Sequence, residues 1–150
     1  MILQMARHFF RSFAAPASHG WLTVFPMAEQ NFAGRQPERI AVALLKAIQA
    51  MGRTRRSGFG FVSPDCPVCS RNVTEHERQF IAVLKEGRDG PTSALHVNAM
   101  LLCEGNETRP FITAMAELGA LLDEGPLTGR SGTKKTGNLR VSRRLPLPGI

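Results

Sequence analysis

Acidic side chains are missing from both ends of this 150-residue chain: none precedes Glu29 and none follows Glu124. Residues 63–125 carry ten acidic and five basic side chains, whereas residues 1–62 carry eight basic against two acidic, and 126–150 six basic and none acidic. The net charge of +7 therefore belongs to the flanks, and it points to anionic partners. It argues against a basic nucleic-acid-binding face on the acidic middle. No apolar run approaches the roughly 18 residues of a membrane-spanning helix. Three cysteines are too few, and odd in number, for a disulfide framework, so a reducing, cytoplasmic setting is expected. A nucleotide-binding glycine loop, G-x-S-x-G and H-E-x-x-H are all absent, which leaves no recognised enzyme signature.

What is present is helical periodicity broken by Gly, Pro, Ser and Arg. Ile2, Met5, Ala6, Phe9 and Phe13 recur at helical spacing on a segment with Arg7, His8 and Arg11 on its other face. Such a segment suits a frayed leader, an organelle-import or membrane-surface helix, or a docking helix. Pro37 to Met51 reads as a helix, with Pro in its first turn, Gly52 beyond its end and an Ile40, Leu44, Ile48, Met51 stripe. Gly58 to Val62 suits a short strand. Thr74 and Glu77 have capping-box spacing, starting a helix that should stop at Gly87. Ser93 to Cys103 fits either a strand or a buried helix, and its Ala, Leu and Met content favours the helix. A last helix begins near Pro110 and ends before Gly125. The glycine- and lysine-rich stretch after it lacks the apolar area to offset ordering entropy.

The expected architecture is mainly α: a small bundle of three to four helices with a Cys-x-x-Cys turn and disordered basic termini. Residues 1–36 form a basic N-terminal segment, 37–57 a helix plus Arg-rich linker, 58–125 an acidic helical module, and 126–150 a basic tail. An ordered part of about 60–90 residues is small enough for a staple to help.

One motif carries specific chemistry. Cys66-Pro67-Val68-Cys69 resembles a zinc knuckle, and tetrahedral zinc needs two further ligands. His96 and Cys103, seven apart on a helix, sit roughly 10 Å from each other, too far to share one ion easily. The set Cys66, Cys69, His76 and Cys103 is therefore the expected zinc site. The alternatives are a dithiol redox pair, and two reduced cysteines in a turn with Cys103 as core filling. The cationic side chains expected at phosphates are Arg53, Arg55 and Arg56 in the linker, and Lys134, Lys135, Arg140, Arg143 and Arg144 in the tail. Solvated linkers would look the same. The functional expectation is a non-enzymatic accessory or regulatory binding protein, with zinc as an option, whose basic arms contact nucleic acid and whose helical module contacts a protein partner. A thiol redox protein using Cys66 and Cys69, and a membrane-surface or organelle-targeted protein, are the other two readings.

Overall fold

The computed structural model describes residues 1–125; the expected disordered tail, with its five named Lys and Arg residues, lies outside them. Within the described residues the chain is all α, with six α-helices and no strand. They are α1 (Ile2–Ala14), α2 (Trp21–Phe32), α3 (Pro37–Gly52), α4 (Glu75–Asp89), α5 (Ser93–Leu102) and α6 (Arg109–Asp123).

The helices form where local chemistry favours them. Pro37 and Pro110 stand in the first turns of α3 and α6, where a missing N–H costs nothing. Thr92 caps α5 by accepting from the Leu95 N–H at 3.0 Å. The capping box at Thr74 is fully formed: Thr74 Oγ1 accepts from the Glu77 N–H at 3.1 Å, and the Glu77 carboxylate accepts from the Thr74 N–H at 2.9 Å. Contrary to expectation, α4 runs through Gly87 and stops at Gly90, whose φ of 105° is open to glycine and strained for other residues.

α3 is the spine of the fold. It buries Ile40, Ala41, Leu44, Ala47 and Met51, packs along α6 on one side, and meets α2 and α1 on another. α4 packs against α5 and α6. The middle of the amphipathic stripe at the N-terminus is core: Met5, Ala6 and Phe9, with the adjacent Phe10, are buried in the same cluster as α3, α4 and α6, while Phe13 stays exposed. α2 lies in the basic N-terminal segment, where no second helix is expected, and it accommodates Pro26 inside it; the proline is exposed, while Val24 and Ala28 face inward. α1 and α2 approach closely at Gly20, where a Cβ would lie 2.7 Å from the His8 carbonyl oxygen.

The expected strand at 58–62 does not form, because side chains of α4 take the place of a partner strand. Gly60 N–H donates to His76 Nδ1 at 2.8 Å, Val62 N–H to Glu77 at 3.0 Å, and the Gly60 carbonyl accepts from Thr74 Oγ1 at 2.7 Å. Glu77 in turn receives Arg7 of α1 in a two-pronged pair at 2.7 and 3.0 Å, with no surface exposed on either side chain. The rest of that guanidinium donates to the Ser70 and Asn72 carbonyls at 2.8 and 2.6 Å. Burial pushes the Glu77 carboxyl up, but hydrogen bonds from Arg7, Thr74 and Val62 outweigh it and hold it below its usual value.

Replacing Glu77 by Gln strands a buried guanidinium and is expected to cost about 3–5 kcal/mol in urea unfolding. Thr74→Ala, which loses the cap and the bond to the Gly60 carbonyl but no charge, should cost about 1–2 kcal/mol. Equal costs would show that the ion pair is not central. Because the folded Glu77 sits below 4.5, its contribution is complete above that pH and is lost as pH falls through the depressed value. In Glu77→Gln, this part of the acid limb should flatten.

Candidate functional site

The segment 53–74, which joins α3 to α4, contains no α-helix or strand, yet it is pinned along its length. Thr54 Oγ1 donates to the Met51 carbonyl at 2.7 Å, closing the end of α3. Arg55 donates to the Leu102 carbonyl at 2.6 Å, satisfying the end of α5, and to the Gly58 carbonyl at 3.1 Å. Asn106 holds the Thr54 carbonyl at 2.8 Å. Glu104, whose φ of 55° turns the chain after α5, accepts from the Arg56 N–H at 2.7 Å and the Ser57 N–H at 3.2 Å, and also pairs with the Ser57 hydroxyl. The Ser57 hydroxyl, then the Arg56 N–H, and last the Arg55 charge hold the Glu104 carboxyl down at about 2.

Pinned this way, the segment forms one wall of an open cleft of about 530 Å³, whose other walls are the C-terminal ends of α1 and α3. Its apolar lining is Phe10, Phe13, Phe59, Phe61, Ile48 and Met51. Phe59 stacks on Phe10 with ring centroids 4.2 Å apart, and Phe80 meets Phe10 edge-on at 5.6 Å, so the aromatic wall continues into the core. Phe13 stays 54 % exposed. Arg53 and Arg55 add two cationic groups to the lining. The Arg55 guanidinium lies 5.6 Å from the Phe59 ring centre.

The sequence-predicted residues are distributed unevenly around this site. Arg55 is turned inward, with its side chain only 5 % exposed, so phosphate contact in the linker would rest on the exposed Arg53 and Arg56. Cys66 and Cys69 are brought together as a close pair with disulfide connectivity, their Cα atoms 5.2 Å apart, within the range such a bond requires. Cys69 N–H donates to Cys66 Sγ at 3.1 Å, and Arg11 of α1 pairs with Asp65 beside them. His76 and Cys103 are not gathered to that pair. His76 accepts from Gly60, as above, and Cys103 is buried at the end of α5, where burial pushes its thiol up against smaller opposing effects of Thr54 and Arg55. Among the described residues no group of three His, Cys, Asp or Glu is close enough to hold a metal ion. None of their helices is long and apolar enough to cross a membrane.

The cleft itself was missed from the sequence. Phe59 and Phe61 fall in the expected strand, and Phe13 on the apolar stripe of the N-terminal segment, so nothing local brings them together. Searches against family models, curated proteins and solved structures find no match for the chain.

Two outcomes test this description. A carbon-detected titration should place Glu104 near 2, well below the ordinary 4.5; the clamp is complete above 4.5 and released only as pH falls through about 2. A value near 4.5 would mean that the clamp does not form. The Cys66→Ser, Cys69→Ser double variant should keep full helicity and lose about 2 kcal/mol or less, since the bridge closes a very short loop. A loss of helicity would make the pair a structural keystone.

Proposed function

We propose that this protein is a small non-enzymatic accessory binding protein whose binding face is the cleft between α1, α3 and residues 53–61. The observation that carries the reading is an open cleft of about 530 Å³ with six large apolar side chains in its lining. That volume falls within the roughly 300–1,000 Å³ of small-molecule and cofactor sites. Exposed aromatic surface gains about 25 cal/mol for each Å² removed from water, and Phe13 keeps that surface available. The polar clamps on residues 54–58 support the same reading: they hold the wall in place before anything binds, so little ordering is left to oppose association. The anionic partners expected from the charge distribution would meet this face at Arg53, which lines the cleft and is exposed.

Titration with the neutral fluorescent probe N-phenyl-1-naphthylamine tests the reading. Saturable enhancement is expected with the full chain. Phe13→Ala should weaken it about tenfold, equivalent to ~1.4 kcal/mol, without moving the thermal midpoint. No enhancement, or enhancement indifferent to Phe13, would overturn it.

A further inference from the structure

We propose that Cys66 and Cys69 form a thiol–disulfide exchange site that takes two electrons from a dithiol, with Cys69 the sulfur attacked and Cys66 the leaving thiolate. The site is separate from the cleft, which neither cysteine lines. Three observations lead to it.

The first is access. Pro67, Val68 and Cys69 are exposed in succession, Val68 by 81 %, while Cys66 is half-buried. An incoming thiolate therefore meets the Cys69 sulfur first. Cys103 is buried and free, and takes no part.

The second is the support behind the pair. The Ser70 N–H closes the turn on the Cys66 carbonyl at 2.9 Å, and the Ser70 hydroxyl donates to the Pro67 carbonyl at 2.8 Å. α1 holds the turn at both ends: Arg11 pairs with Asp65, and the buried Arg7 grips the Ser70 and Asn72 carbonyls. Two sulfurs set on such a turn stay close after reduction, so opening and closing the bond asks little of the backbone. A bridge across so short a loop adds little to stability, which leaves its chemistry as its use.

The third is electrostatic. The Cys69 N–H donates to Cys66 Sγ at 3.1 Å, a bond that strengthens when that sulfur carries charge. Arg11 matches the charge of Asp65 beside the pair, and Arg71 is exposed with no ion pair among the described residues. These surroundings favour a thiolate at Cys66, and a stabilised thiolate leaves faster.

One thiolate of the dithiol attacks Cys69 Sγ; a mixed disulfide forms as the Cys66–Cys69 bond breaks and its electron pair goes to Cys66 Sγ. The second thiolate then attacks the dithiol sulfur of that mixed disulfide, displacing Cys69 Sγ and closing the reagent into its own disulfide. The dithiol is oxidised, the protein pair is reduced, and the two protons of the dithiol pass through solvent to Cys66 and Cys69.

Stopped-flow reduction of the oxidised full chain by dithiothreitol at pH 7, run beside oxidised glutathione, tests the assignment. The protein should react at least about tenfold faster, the factor that one charge-assisted hydrogen bond supplies. With glutathione alone and an acid quench, peptide mapping should find the adduct on Cys69. In the reduced chain, iodoacetamide at pH 7 should alkylate Cys66 ahead of the more exposed Cys69. Arg11→Gln leaves Asp65 unmatched beside the pair and should slow reduction about twofold to threefold; adding Asp65→Asn should restore the rate. Reduction no faster than that of oxidised glutathione, an adduct on Cys66, alkylation led by Cys69, or two thiols that stay free in air would overturn the assignment. Naphthylamine binding does not enter these readouts, so the cleft stands or falls separately.

Discussion

The ion pair between Arg7 and Glu77 is the constraint on which the rest of the structure depends. Two charges without solvent are tolerated only when they are paired and well hydrogen-bonded, and here the Arg7 guanidinium makes four bonds and the Glu77 carboxylate accepts four. Arg7 is spread over Glu77 and the carbonyls of Ser70 and Asn72; Glu77 is shared among Arg7, Val62 and the capping-box N–H of Thr74. One contact therefore fixes the position of α1, starts α4, and orders the irregular chain between α3 and α4.

That irregular chain is where the fold meets its proposed use. A 22-residue segment without α-helix or strand would ordinarily leave its backbone to water. In this protein its polar groups are met by side chains around it: Glu104 and Asn106 of the turn after α5 at one end, His76 and Glu77 of α4 in the middle with the segment's own Thr74, and Arg7 of α1 near the cysteine pair. The phenylalanines it carries are consequently presented on a firm wall. Arg55 does two jobs there, closing the end of α5 with one nitrogen and holding the Gly58 carbonyl with another.

Much of the helical content was legible in the sequence. Pro37 and Gly52 bracket α3, Thr74 and Glu77 announce α4 through a local rule, and the composition of 93–103 favours helix over strand. What was not legible depends on contacts distant in sequence. Nothing in the capping-box spacing says that Glu77 will also receive an arginine 70 residues away, and so nothing assigns Arg7 to the interior. The charge on Arg7 and Arg11 made the first helix look like a solvated arm. The same limit applies to Arg55: three arginines in five positions resemble a phosphate-binding cluster until a carbonyl at the end of α5 is found in front of one of them. Among the zinc candidates, local spacing predicted the Cys66–Cys69 approach and had no power over His76 or Cys103.

The 70-residue interval between Arg7 and Glu77 has a consequence for biosynthesis. At about 5–20 residues per second, the ribosome adds the glutamate some 4–14 s after the arginine. Over that time the first helix emerges without the carboxylate that will neutralise it, showing four core residues and an uncompensated cation to whatever is nearby. Until Glu77 is made, Met5, Ala6, Phe9 and Phe10 lack the α4 surface they pack on, and the Arg7 charge lacks the carboxylate that meets it in the fold.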